Sequence, residues 1–234
     1  LGVSKEALLA NKALLTAVLT CHVLPAKVEA SAVAGVLGQP IATVQGGVFK
    51  IESNNGLKIT DGRNRVANIT STDVAASNGV IHVIDKVILP ADKTIVQTAI
   101  ASAPEFSVLV EAVQAAGLVD ALSAAGPFTV FAPTNAAFAA ALAELGVTKE
   151  ALFANTELLT AVLTYHVVPS RVFKAQVPLN TPITTLQGAT FTVGSDLAIT
   201  DQAGRKAHIV ATDVMTSNGV IHVIDKVILP LAPA

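Results

Sequence analysis

The chain has 234 residues, a formal charge of −2, one cysteine, 52% apolar and 14% charged residues, the make-up of one or two globular domains with ample side chains for a core. Near-neutral charge and the lack of a Lys/Arg cluster interleaved with aromatics argue against nucleic acid and anionic membranes as partners, since both are held by neutralising several phosphates. A lone Cys21 rules out an intramolecular disulfide and a cysteine-built metal site, and no apolar run approaches the roughly 18 residues of a membrane-spanning segment.

The opening segment LGVSKEALLANKALLTAVLTCHVLP returns from Leu145 as LGVTKEALFANTELLTAVLTYHVVP. Farther along, SNGVIHVIDKVILP occurs unchanged at Ser77–Pro90 and Ser217–Pro230, so the chain is built from one unit used more than once. The offset drops from 144 to 140 residues between these two matches, which makes the middle of the second copy four residues shorter. Between Cys21-His22 and Ser77 the first copy reads as a meander of short strands, with Asn55-Gly56 and Asp61-Gly62 as turn signals. Residues 90–93 form a short linker.

The second copy opens with two short helices, the second carrying Phe106, Leu109, Val110 and Val113 at helical spacing up to a stop at Gly117. Leu118–Ala125 adds a turn or two before Gly126-Pro127, and FTVF at Phe128–Phe131 reads as a buried strand. Thr134 or Asn135 caps the helix that Gly146 ends, and Thr148 starts a helical stretch through Leu163. After Tyr165-His166 come the strands of a second meander, ending in GVIHVIDKVIL, long enough to run through a sheet. Helices first and strands after read as α+β.

Three segments, FTVFAPTNAAF (128–138), LLTAVLTYHVVP (158–169) and SNGVIHVIDKVILP (217–230), resemble in order and separation the signature segments of the fasciclin-like domain. The resemblance covers residues 91–230. It implies a β-wedge of two sheets with a helical bundle on one side, in a secreted or surface-anchored extracellular protein of adhesion. It also divides the chain into 1–90, an incomplete domain comprising the C-terminal part, and 91–234, a complete one. The first copy has no counterpart of FTVFAPTNAAF, nor of Phe106, Leu109 and Val113. Residues 1–90 are therefore expected to be the remnant of a unit from a longer tandem array, unable to fold alone. Its missing N-terminal half, or a chain that replaces it, is an expected partner.

Candidate site residues follow from the repeat and the resemblance together. His166 and His22 sit at the helix-to-strand junction, either as core histidines bonded to backbone or, with Tyr165, as part of a receptor-binding surface that the resemblance implies. Asp213-Val214-Met215 occupies the place of an integrin-contact sequence in adhesion proteins of this family, with Asp73-Val74-Ala75 in the first copy. An exposed carboxylate there suits a cation-bearing receptor, while the alternative is a turn cap with Val214 packed inward. Asp225 and Asp85 share a strand face with Ile221 and Ile81, where a carboxylate needs a hydrogen-bonding partner. His222 and Lys226, like His82 and Lys86, face the other way, toward a sheet surface or edge. Cys21 is expected to be a buried small hydrophobe.

Ser217, His166 and Asp225 contain the residue types of a hydrolase triad, yet the chain has no nucleophile-elbow, phosphate-cradling or HExxH sequence. The five histidines show no metal spacing, so neither a cofactor nor a metal is expected. Asn68-Ile69-Thr70 is a glycosylation sequon inside an apparent strand. Adhesion or matrix contact through domain surfaces, with a cell-surface or matrix protein as partner, is the expected function. A spacer that assembles through its own repeats and a small-molecule or lipid carrier are the alternatives.

Overall fold

The structure, a computed structural model, describes residues 1–230. The chain divides into two compact units, with the break after Asp92.

In the first unit, α1 (Lys5–Ala10) and α2 (Lys12–Thr20) are separate short helices because Ser4 and Asn11 each cap one, their side chains accepting from the N–H of Ala7 and Leu14. A turn of helix, α3 (Ala30–Val33), leads into the strands β1 (Ile41–Ala42), β2 (Val48–Ser53), β3 (Leu57–Thr60), β4 (Val66–Ala76) and β5 (Gly79–Ile84). They pair antiparallel in that order, leaving β5 at one edge of the sheet. Phe49, Ile51, Ile59 and Ala67 of the sheet pack with Cys21, Val33 and Ile88 as its core.

The second unit begins with α4 (Ile95–Ala101), α5 (Ser107–Ala115) and α6 (Val119–Ser123). Thr94 and Gln97 form a reciprocal capping box at the start of α4. Then come β6 (Phe128–Pro133) and α7 (Asn135–Leu145), the helix capped by Thr134 and closed by Gly146 in the left-handed region at φ 65°. The predicted single helical stretch after Thr148 is two helices, α8 (Lys149–Ala154) and α9 (Thr156–Tyr165), because Asn155 leaves helical geometry and its side chain caps α9. Strands β7 (Val167–Val168), β8 (Ile183–Thr184), β9 (Thr190–Val193), β10 (Ala198–Thr200), β11 (Lys206–Thr216) and β12 (Gly219–Ile224) complete the unit.

Its sheet runs β7-β6-β12-β11-β10-β9-β8, with β6 beside β12 in parallel register from Gly219↔Phe128 to Ile224↔Pro133. The α+β expectation holds. The long strand β11 changes register twice, between Ile209 and Ala211 and between Ala211 and Val214, and such bulges bend a strand. Two cores result. One lies under the helices, where Ile95, Leu109, Val113 and Phe138 meet Val130 and Ile221; the other lies among the strands around Phe131, Tyr165, Phe191 and Ile199.

The final strand is shorter than expected. It stops at Ile224 because the Asp225 carboxylate turns back to accept from the His208 N–H at 2.7 Å. Asp225 thus lies beyond the strand, with its side chain 45% exposed and paired with the His208 ring at 3.4 Å, and not on an apolar face. Asp85 does the same, accepting from the N–H and the side-chain amide of Asn68 at 2.7 and 2.6 Å. The sequon asparagine therefore has its amide engaged within the fold.

Candidate interaction surface

The His166 and His22 rings occupy the same position in the two units. Nδ1–H of His166 donates to the Val162 carbonyl at 2.7 Å, and Nε2 accepts from the Ile228 N–H at 3.1 Å. His22 repeats this with Val18 at 2.6 Å and Ile88 at 3.1 Å. With one ring nitrogen donating and the other accepting, the imidazole is neutral. Burial pushes the His166 pKa down to about 4, against a smaller opposing effect of the Val162 bond. The ring ties the helix to the last segment of the unit.

Tyr165 is fully buried. Its hydroxyl donates to the Thr190 carbonyl at 2.8 Å and accepts from the Gln202 N–H at 3.2 Å, and its ring meets Phe191 edge-on at 6.0 Å. Burial raises its pKa to about 12. In the first unit Cys21 fills this place as a buried thiol that donates to the Val18 carbonyl. Neither Tyr165 nor His166 offers a side chain to the surface.

Asp213 lies in the bulge of β11 at φ 59°, in the left-handed region that Asp tolerates. Its carboxylate is buried and accepts from the Lys174 N–H at 2.7 Å, while its own N–H donates to Nδ1 of His222 at 3.2 Å. Met215 is buried beside it and Val214 packs against the helical core. The carboxylate therefore holds the start of the helical turn at Lys174–Gln176, distant in sequence, and not a turn ahead of Asn218-Gly219. In the first unit, Asp73 has the same φ and accepts from the Ala30 N–H at 2.9 Å, but it is exposed and Val74 is 44% exposed.

His222 corrects the period-two reading of the last strand. It is buried, with Nε2–H donating to the Val172 carbonyl at 2.7 Å and the Phe131 ring 5.3 Å away, tilted by 39°. A strand flanked by β6 and β11, with helices over one face and the strand core under the other, is buried on both faces, so alternation carries no inside-outside signal. Ser217, His166 and Asp225 do not assemble as a triad: Nε2 of His166 is taken by Ile228 and Asp225 bonds His208. Among the described residues no group of three or more His, Cys, Asp or Glu is arranged to hold a metal ion, and no helix is long and apolar enough to cross a membrane.

Asp61, read above only as a turn signal, has its counterpart in the second unit at Asp201. Each is nearly fully buried and accepts from the N–H of Leu89 or Leu229, both at 2.9 Å, as well as from its own turn. The signal available was their shared placement, Thr-Asp with an Arg four residues after the Asp (Arg65 and Arg205), before each final strand pair.

Between α4, α5 and β6 lies a small apolar pocket with Val96, Val110, Leu163 and His166 in its wall, the residues around it buried or half-buried. An exposed apolar side chain stands at the tip of the same hairpin in each unit, Val44 (52% exposed) between β1 and β2 and Leu186 (44%) between β8 and β9. The N–H of each donates to a carbonyl of the junction segment, Val44 to Val23 at 2.9 Å and Leu186 to Val167 at 2.7 Å.

Comparison with known proteins gives a consistent picture. The family model "Fasciclin domain" matches residues 2–90 and again 104–230. Protein sll1483 of Synechocystis sp. is 49% identical over 140 residues, 58% of this chain and 73% of that protein. Transforming growth factor-beta-induced protein ig-h3 of Sus scrofa is 35% identical over 164 residues, 70% of this chain but 23% of the relative. Among solved structures, a FAS1 domain pair from the insect cell adhesion molecule Fasciclin I superposes with a TM-score of 0.53 at 18% identity, covering 97% of this chain and 85% of that one.

Proposed function

The chain belongs to the fasciclin domain family, and from that premise we propose that it is an extracellular adhesion or matrix-contact protein that binds other proteins through the surfaces of its units, without catalysis. The double match to one domain family carries this reading, and a domain pair of the same fold from an insect cell adhesion molecule supports it. The contact position is the hairpin tip that both units share. Val44 and Leu186 are apolar, exposed and held outward by a backbone bond to the junction segment. Two weak sites on one chain raise avidity through effective concentration.

The test is binding of the whole chain to an immobilised extracellular-matrix preparation. Val44→Asp and Leu186→Asp each weaken retention and the double variant weakens it more than the two single effects combined, with melting curves unchanged. Full retention by the double variant would remove the hairpin tips from the contact.

A further inference from the structure

Identical sequence has unequal surroundings in the two units. Ile221 and Val227 are 4% and 3% exposed, whereas Ile81 and Val87, at the same places in the repeated fourteen residues, are 54% and 57% exposed. The helix-to-strand junction behaves alike: Leu163 and Val167 are 3% and 2% exposed, against 58% and 49% for Leu19 and Val23. All four buried residues belong to the core under the helices of the second unit. What covers them is the stretch from α4 to α7, with β6 laid parallel along β12.

The first unit keeps the fittings for such a stretch. Strand β5 pairs with β4 alone among the described residues, so its outer edge is free. Gly219 is required because a Cβ there would lie 2.0 Å from the Phe128 carbonyl oxygen, while at Gly79 nothing lies within 4 Å. Asn218 accepts from the Ile95 N–H and donates to the carbonyls of Leu122 and Ala124 at 2.8 to 2.9 Å. Asn78, at the same place in the first unit, is exposed. Charge is compatible as well: Glu144 at the end of α7 pairs with Arg205 and Lys226, and the counterparts Arg65 and Lys86 are exposed in the first unit, Arg65 on the buried Asp61 carboxylate and Lys86 on the Val66 carbonyl.

We propose that the outer edge of β5 and the apolar face beside it are a docking site for a polypeptide segment of the kind that residues 93–147 form. Its strand enters parallel to Gly79–Ile84 in the register that Phe128–Pro133 takes beside Gly219–Ile224. Its helices cover Leu19, Val23, Ile81 and Val87, and an acidic residue near its end meets Arg65 and Lys86. A second copy of this chain is a poor donor, because lending its own residues 93–147 would strip the equivalent face of its second unit. The inference does not rest on the adhesion reading.

The probe is a labelled fragment of residues 93–147 added to the full chain, followed by fluorescence anisotropy. Saturable one-to-one binding is expected, weakened at least about tenfold by Gly79→Ala and by Ile81→Asp, both at open positions that leave the melting curve unchanged. Binding that ignores both substitutions would mean exchange into the second unit, and dimerisation that Ile81→Asp abolishes would make a second copy the occupant; either overturns the proposal. Should the free fragment aggregate, residues 93–144 are repeated in one chain directly ahead of Leu1. Thiol labelling of Cys21, which reports on the first unit alone, must then slow at least about tenfold and recover with Gly79→Ala. An unchanged rate would refute the docking site.

Discussion

At the scale of single residues, Tyr165, His166 and Asp213 of the second unit, which looked suited to contact, are engaged inside the fold, whereas Asp73 and Val74 of the first unit stay exposed. His166 illustrates why the distinction has measurable consequences. Its folded pKa lies at about 4, below the ordinary 6.5, because burial strips water from the cation, and a proton on Nε2 would face the Ile228 N–H that it now accepts. Between those two values the unfolded chain binds a proton that the folded chain does not. Stability contributed by the neutral ring is therefore complete above about pH 6.5 and is lost as pH falls toward 4, by on the order of 3 kcal/mol. Urea unfolding of the second unit at a series of pH values should show this slope, and His166→Gln, though less stable throughout, should flatten it between pH 6.5 and 5. Equal slopes for the two proteins would show that other groups carry the acid sensitivity. The sequence placed His166 and Tyr165 at the right junction, and it offered both a core and a surface role for the histidine. Choosing between them needed the distant partners, Ile228 and Thr190, which no local pattern names.

At the scale of elements, the helices were legible where their ends are written in short-range chemistry: Thr134 caps α7 and Gly146 closes it, both within one turn of the helix. The break at Asn155 was missed because the apolar pattern runs on through it while the cap depends on backbone geometry. Least legible was the insertion of β6 between β7 and β12, a pairing across some ninety residues that only the completed sheet reveals. Gly219 now gives that pairing a sharp test. An added methyl at this position meets the Phe128 carbonyl, a backbone atom that cannot swing away, so Gly219→Ala should cost about 1 to 3 kcal/mol or more in the unfolding of the second unit. Gly79→Ala, in open space within the same sequence, should stay within about 0.5 kcal/mol of the parent chain. Equal effects of the two substitutions would mean that β6 does not lie against Gly219.

At the scale of the whole molecule, the two units differ in how much of their helical surface is held down. In the second unit α8 and α9 bury Leu152, Leu159, Val162, Leu163 and Tyr165. In the first, α1 buries nothing and α2 only Val18, although the sequences match almost residue for residue. Helices this short are marginal without tertiary packing, and local opening follows the contacts that oppose it. Lys5 and Lys149 head the same helix in the two copies, but Lys149 is tied to Glu111 and sits over the Phe153 ring at 5.5 Å. Trypsin acting on the native chain should therefore cleave after Lys5 and Lys12 at least about tenfold faster than after Lys149, as followed by intact-mass spectrometry over time. The first products lose α1 and the start of α2 while the second unit persists as a resistant core. Cleavage at Lys149 keeping pace with Lys12 would mean that the helices of the second unit open as readily as those of the first, and that the buried face under α4 to α7 does not hold them.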